Sequence, residues 1–128
     1  MAERLHILCV DEDEDALFIA GLCLALDPYI VVESARTGSQ ALAILSNRPT
    51  AIDCVLLENY LPDMNGAALL GAMRGCPHCA HIPAIFLTAS VHKLDLDSYA
   101  ALGAAGMVSK PYDPLTLAQE IRRILEKR

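Results

Sequence analysis

The chain alternates between short, continuous apolar runs and longer segments in which apolar residues recur at helical spacing. A continuous apolar run bounded by polar residues is typical of a strand that is buried on both faces of a sheet. These runs predict strands at residues 5–10, 30–34, 54–57, 83–87 and 105–109.

The segments between the strands predict helices at residues 13–27, 38–48, 67–74, 93–102 and 114–127. The first helix starts with acidic residues, which suit a helix N-terminus, and Pro28 stops it. Alternation of strands and helices predicts an α/β fold with a parallel sheet covered on both faces. We therefore expect a three-layer, doubly wound, five-stranded parallel sheet, in a single domain that spans residues 1–128.

In such a sheet the functional site lies outside the carboxyl ends of the strands. Carboxylates gathered there repel one another and need a compensating cation. A lysine supplies one, and a divalent ion such as Mg²⁺ or Mn²⁺, which prefers oxygen ligands, supplies another. Acids after the first strand also disfavour flavin or NAD binding, because they repel phosphate. The residues that follow the predicted strands are Asp11, Glu12, Glu58, Thr88, Ala89 and Lys110.

The composition excludes several classes of protein. Of the 128 residues, 54% are hydrophobic and 20% are charged, so the chain is not intrinsically disordered. The formal net charge of -6 argues against direct binding of nucleic acid. No apolar run has the length of a membrane helix, and no signal-peptide pattern is present. We expect a cytoplasmic protein that does not bind a membrane, with its five cysteines reduced.

Four segments together resemble the receiver domain of two-component response regulators, in their order, spacing and placement at strand ends. They are ILCVDEDEDAL (7–17), DCVLLENYLPDMNG (53–66), IPAIFLTAS (82–90) and GAAGMVSKPYDPLTL (103–117). The resemblance covers nearly the whole chain and implies the flavodoxin-like receiver fold. It also implies a phosphorelay signalling module, not an enzyme, whose acceptor carboxylate takes a phosphoryl group from a histidine kinase with the help of Mg²⁺.

Carried over to this sequence, the resemblance assigns a role to each strand-end residue. The phosphoacceptor position is Glu58, and the pair Lys110–Pro111 corresponds to a Lys-Pro peptide bond that is usually cis. The implied ligands of Mg²⁺ are Asp11, Glu12, Glu58 and the backbone carbonyl of Tyr60, while Thr88 and Lys110 would contact the phosphoryl group.

Three positions depart from the family pattern, and all of them belong to the phosphorylation switch. The acceptor is Glu58 where the family has Asp, and Glu12 is a longer second acid. Met107 stands where the family commonly has an aromatic residue that moves together with the residue at Thr88. Glu58 then either imitates a phosphorylated Asp, or pairs with Lys110 in a site that has lost phosphorylation. The alternative is an Mg²⁺-dependent phosphoacceptor on Glu58.

The segment from Cys76 to His81 is not explained by the receiver resemblance. Two cysteines separated by two residues, with His78 and His81 beside them, are typical of zinc sites and of redox motifs. The segment follows a helix and its Gly75, so a helix N-terminus that would activate Cys76 is missing. We expect a surface loop with two thiols, and keep a thiol- or metal-sensing module using Cys76 and Cys79 as a further alternative.

The expected partners follow from the resemblance. They are a histidine kinase, a phosphotransfer protein or an effector protein, with a homodimer through the surface of the fourth helix, fifth strand and fifth helix as a further possibility. The 128 residues contain no effector domain, so the sequence is compatible with a stand-alone receiver or with a piece of a longer regulator. We expect it to act by protein–protein contact.

Overall fold

The computed structural model describes residues 3–47, 51–89 and 93–127. Within them, strands and helices alternate along the chain. The strands are β1 (Leu5–Val10), β2 (Ile30–Ala35), β3 (Cys54–Leu57), β4 (Ala84–Thr88) and β5 (Gly106–Ser109). All strand pairs are parallel, and the strand order in the sheet is β2-β1-β3-β4-β5. The helices are α1 (Glu14–Leu24), α2 (Gly38–Ser46), α3 (Gly66–Arg74), α4 (Lys93–Ala101) and α5 (Leu117–Glu126). The predicted three-layer, doubly wound sheet is confirmed.

Two apolar clusters hold the helices to the faces of the sheet. Leu8 and Val10 of β1 point into a cluster with residues of α2, α3 and α4. Ile7 and Cys9 point to the opposite face, into a cluster with residues of α1 and α5. Because successive side chains of a strand alternate between faces, β1 contributes to both clusters. Its residues from Ile7 to Val10 are all buried. The sheet is therefore the rigid platform on which the strand-end residues sit.

Helix starts are fixed by polar side chains that accept hydrogen bonds from the first helical N–H groups. The Asp13 carboxylate accepts from the N–H groups of Asp15 and Ala16 at 2.9 and 3.4 Å, ahead of α1. Thr37 and Asn65 cap α2 and α3 in the same way. The acidic start of the first predicted helix is thus a cap and a first turn, as expected.

The predicted start of the last helix, at residue 114, is wrong. The Asp113 carboxylate accepts a hydrogen bond from the Leu115 N–H at 2.9 Å, and the Asp113 carbonyl accepts one from the Thr116 N–H at 3.1 Å. These bonds form a turn, so α5 begins at Leu117. Leu115, which we placed on the buried side of the helix, is 80% exposed.

Other element boundaries shift by one to three residues. The first helix ends at Leu24 rather than 27, because the N–H groups of Leu26 and Asp27 bond to carbonyls three residues back. β4 extends through Thr88, which we had placed just after the strand. The second helix ends at Ser46 rather than 48, and residue 48 lies outside the described residues.

Gly66 allows the segment after β3 to pack closely against the start of α3. A Cβ atom at Gly66 would lie 2.7 Å from a ring carbon of Phe86 and 3.0 Å from the Asn59 Cα. The Gly66 N–H donates to the Asn59 carbonyl at 2.6 Å. This close approach fixes the backbone immediately after Glu58.

In the part of the chain that the structure describes, none of the helices combines the length and the apolar character needed to cross a membrane.

Candidate functional site

The first carboxylate of the site follows β1. The Asp11 N–H donates to the Ala35 carbonyl at 3.1 Å, which continues the pairing with β2. The Asp11 Oδ1 atom accepts a hydrogen bond from the Asp13 N–H at 2.9 Å. This bond holds the side chain over the end of the sheet, where it is 14% exposed.

The second carboxylate follows β3, the neighbouring strand. The Glu58 N–H donates to the Val10 carbonyl at 2.9 Å, so the backbone is held beside β1. The Glu58 Oε1 atom accepts a hydrogen bond from the Asn59 N–H at 2.8 Å. The side chain of Glu58 is 13% exposed. The longer acid is therefore folded back onto its own backbone rather than extended into solvent.

Lys110 brings a cation to both carboxylates. Its N–H donates to the Thr88 carbonyl at 3.0 Å, which places it just beyond the ends of β4 and β5. Its Nζ atom lies 3.0 Å from Asp11 Oδ2 and 3.1 Å from Glu58 Oε2. Burial lowers the pKa of Lys110, but the hydrogen bonds and charges of Asp11 and Glu58 outweigh it and raise this pKa above its usual value. The ammonium is therefore charged at neutral pH. The Lys110–Pro111 peptide bond is cis, the form that the resemblance implies.

The hydrogen bonds leave each carboxylate oxygen of the pocket with a donor. Asp11 accepts from the Asp13 N–H and from Lys110, and Glu58 accepts from the Asn59 N–H and from Lys110. Two carboxylates and one ammonium give the cluster a formal charge of -1. Lys110 thus offsets one of the two negative charges that face each other at this end of the sheet.

The other two implied metal ligands, Glu12 and the backbone carbonyl of Tyr60, follow β1 and β3 in the chain. Glu12 is exposed, and its carbonyl accepts hydrogen bonds from the Arg36 guanidinium at 3.1 and 3.2 Å. Tyr60 is exposed and forms an isolated antiparallel bridge with Asn65. Among the described residues, no group of three or more His, Cys, Asp or Glu side chains is arranged to hold a metal ion.

The switch positions Thr88 and Met107 lie on the neighbouring strands β4 and β5. Thr88, at the end of β4, is buried at 1% exposure. Met107 in β5 is opposite Phe86 in the register and packs against the cluster that contains Phe86 and Tyr99. The rings of Phe86 and Tyr99 stack with their centroids 4.0 Å apart. The sequence did not point to Tyr99, because the position of an aromatic residue within a helix does not indicate which strand residue it packs against.

A further feature that the sequence analysis missed is an apolar surface on α1. Helical spacing led us to bury one side of this helix, and Cys23 and Leu24 are buried. The opposite side is also apolar, with Phe18, Ile19 and Leu22 exposed, and Leu26 is exposed in the turn that follows the helix. We call these four residues the α1 surface. The signal was present in the sequence, because a helix that is apolar all round is usually covered on both sides.

The sequence from residue 7 to residue 122 matches the family model of the response regulator receiver domain. The chain belongs to this family. Receiver domains are signalling modules of two-component systems and are generally not enzymes. They interact with histidine kinases and effector domains, and they typically bind Mg²⁺ at the phosphorylation site.

Individual relatives agree with this assignment. The receiver domain is 35% identical to a probable cyclic di-GMP phosphodiesterase of Vibrio cholerae over 95% of this chain and 27% of the relative. It is 30% identical to the response regulator SaeR of Staphylococcus aureus, over 95% of this chain and 51% of SaeR. The chain thus spans between about a quarter and a half of these relatives. The chemotaxis response regulator CheY4 of Vibrio cholerae superposes with a TM-score of 0.84 at 25% identity, over 94% of this chain and 98% of CheY4.

Proposed function

We propose that this receiver domain signals without being phosphorylated, because Glu58 forms a permanent ion pair with Lys110. The observation that carries the proposal is the contact of 3.1 Å between Glu58 Oε2 and Lys110 Nζ, at the position where the family has its acceptor Asp. Both oxygens of Glu58 already accept a hydrogen bond.

Phosphoryl transfer to a carboxylate needs a free oxygen in line with the phosphorus atom, bracketed by cations. Near-attack geometry tolerates little displacement of the reacting atoms. Glu58 is one methylene longer than Asp, and one of its oxygens is turned toward its own backbone while the other contacts Lys110. Both the added length and these contacts oppose attack on a phosphodonor.

The same contacts oppose Mg²⁺ binding. Mg²⁺ requires a close octahedral set of oxygens and loses its water reluctantly. Asp11 and Glu58 each pair with Lys110, and the Glu12 side chain is exposed. We infer that the pocket keeps the lysine in place of the metal.

A Glu58–Lys110 pair differs from a phosphorylated Asp in charge and in hydrogen-bonding capacity. A phosphoryl group carries close to two negative charges and three acceptor oxygens, whereas Glu58 carries one charge and has both oxygens engaged. We therefore propose that the pair holds one fixed conformation, independent of any kinase, and that it is not a full imitation of the phosphorylated state.

The proposed mode of action is contact with other proteins. An exposed apolar area is typical of a protein interaction site, and the α1 surface supplies one. The partner is a histidine kinase, phosphotransfer protein or effector of a two-component system, in the cytoplasm. A homodimer through α4, β5 and α5 is the other arrangement that the family suggests.

The test is incubation of the protein with acetyl phosphate and Mg²⁺, followed by intact-mass analysis. We expect no added phosphoryl group on the native protein. The Glu58→Asp variant is the control, because it restores the shorter acceptor of the family, and we expect it to gain one phosphoryl group. A phosphoryl group on Glu58 of the native protein would instead establish the Mg²⁺-dependent phosphoacceptor and overturn the proposal.

A further inference from the structure

The loop between α3 and β4 brings two cysteines together in a single turn. The Cys79 N–H donates to the Cys76 carbonyl at 3.0 Å, and the Cys76 N–H donates to the Met73 carbonyl at 3.1 Å. Both cysteines are free thiols. The turn therefore brings the Cα atoms of the two cysteines close together without any rearrangement of the chain.

Cys76 has the surroundings of a reactive thiol. Its sulfur accepts hydrogen bonds from the Cys79 thiol and from the backbone N–H groups of His78 and Cys79, and these bonds lower the pKa of Cys76. Its side chain is half-buried, so reagents in solution can reach it. A thiolate is the nucleophilic form of cysteine. The sequence analysis expected no such activation because no helix begins at Cys76, but the N–H groups of the turn supply it.

Cys79 has the opposite character. It is fully buried in the apolar cluster that also contains Met73 and Ile82. Burial, followed by the interaction with Cys76, raises the pKa of Cys79 to about 11. A buried thiol of this kind does not meet a reagent directly, but it can attack a bond formed on its neighbour. The pair therefore has one accessible and one resolving cysteine.

We propose that Cys76 and Cys79 form a thiol–disulfide exchange site that is oxidised by low-molecular-weight disulfides. The Cys76 thiolate attacks one sulfur of the small disulfide; the S–S bond breaks, and one small thiolate leaves. That thiolate takes the proton of the Cys79 thiol. The Cys79 sulfur then attacks the Cys76 sulfur of the mixed disulfide and releases the second small thiolate. The second thiolate takes up the proton that Cys76 had lost. The protein loses two electrons and two protons, and the small disulfide becomes two thiols.

The turn is compatible with the disulfide that this reaction forms. A turn closed by a hydrogen bond between residues three apart holds its terminal Cα atoms within about 7 Å, and disulfides bridge Cα atoms that are roughly 4.4 to 6.8 Å apart. Arg74 fixes the following backbone, because its guanidinium donates to the carbonyls of Ala80 and Ile82 at 3.1 and 2.8 Å. The cysteines thus sit in an anchored loop.

The site is separate from the carboxylate pocket. The loop precedes β4 and lies at the amino end of that strand, whereas Asp11, Glu58 and Lys110 lie at the carboxyl ends of their strands. Failure of the thiol proposal would leave the proposed function untouched, and the reverse also holds.

The test is equilibration of the native protein in buffers with a graded ratio of reduced to oxidised glutathione. The reaction is stopped with acid, the remaining thiols are alkylated in denaturant, and the peptides are analysed by mass. We expect a Cys76–Cys79 disulfide with the loss of two hydrogens, while the buried Cys9, Cys23 and Cys54 remain thiols. A native protein that keeps both thiols in oxidised glutathione, or stops at a mixed disulfide, would overturn the proposal.

Single variants separate the two roles. Cys79→Ser is expected to accumulate a mixed disulfide with glutathione at Cys76, because the resolving thiol is gone. Cys76→Ser is expected to remain unmodified at Cys79. The control variant Cys23→Ser alters a buried cysteine outside the turn, and it is expected to form the Cys76–Cys79 disulfide as the native protein does. In the native protein, iodoacetamide should alkylate Cys76 at least about tenfold faster than Cys79. Equal alkylation rates of the two cysteines, or faster alkylation of Cys79, would contradict the assigned roles. This measurement uses only the native protein, so it does not depend on the folding of a variant.

Discussion

Replacement of Lys110 by Met tests whether the ammonium is what holds the carboxylate pocket together. Met keeps most of the length and apolar character of the lysine stem but removes the charge. Asp11 and Glu58 would each retain one backbone N–H donor, from Asp13 and Asn59, and would lose their shared cation. The variant therefore leaves two negative charges facing each other in a pocket where both are largely buried.

The size of the effect follows from the geometry. Both carboxylate oxygens lie within 3.1 Å of the same nitrogen atom. Two like charges about 5 Å apart, at an effective dielectric constant of about 20, repel each other by about 3 kcal/mol. We expect Lys110→Met to lower the free energy of unfolding by about 2–4 kcal/mol at pH 7. Glu58→Gln removes one of the two negative charges and keeps the Lys110–Asp11 pair, so its effect should stay within about 1 kcal/mol.

The assay is urea denaturation followed by far-UV circular dichroism, with Lys127→Met as the matched control. Lys127 is an exposed lysine at the end of α5, and its replacement should change stability by no more than about 0.5 kcal/mol. Two results would refute the reasoning. One is a Lys110→Met variant as stable as the control, and the other is a Glu58→Gln variant that loses more stability than Lys110→Met.

Two further predictions concern the scaffold. The Arg122 guanidinium donates to Asp27 at 2.7 Å and lowers the pKa of Asp27. This ion pair therefore stabilises the fold above about pH 4, and its contribution is lost as the pH falls through the lowered pKa. Asp27→Asn should reduce the free energy of unfolding by about 1 kcal/mol at pH 7, and a loss of the same size at a pH below the lowered pKa would contradict this. Gly66→Ala should destabilise by about 1–3 kcal/mol, because the new Cβ would lie 2.7 Å from Phe86. The matched variant Gly71→Ala in the same helix meets no atom within 4 Å and should stabilise by about 0.5–1 kcal/mol, so equal thermal shifts for the pair would argue against the packing.

The sequence predicted the fold and the position of the pocket for clear physical reasons. Continuous apolar runs can be buried only between two layers of helices, and parallel strands bring their carboxyl ends to one edge. The encounter of Asp11, Glu58 and Lys110 therefore followed from the strand boundaries. The direction of Glu58 did not follow, because its contact with the Asn59 N–H depends on a side-chain torsion that no residue pattern specifies.

The errors arose where local hydrogen bonds decide the structure. Apolar spacing extended the last helix back to residue 114, but Asp113 forms a turn that leaves Leu115 exposed. Side-chain and turn hydrogen bonds compete with regular structure over only a few residues. A hydrophobic periodicity cannot be recognised over so short a segment.

The central claim, that Lys110 holds Glu58 and keeps Mg²⁺ out, is tested most directly by nitrogen-15 NMR of the native protein. The spectrum would be followed at the amides of Asp13 and Asn59, which donate to the two carboxylates, during addition of Mg²⁺ and then of beryllofluoride, an analogue of the phosphoryl group. The account predicts that these amide signals stay in place in the native protein and shift in Glu58→Asp. A saturable shift of both amides in the native protein would contradict it.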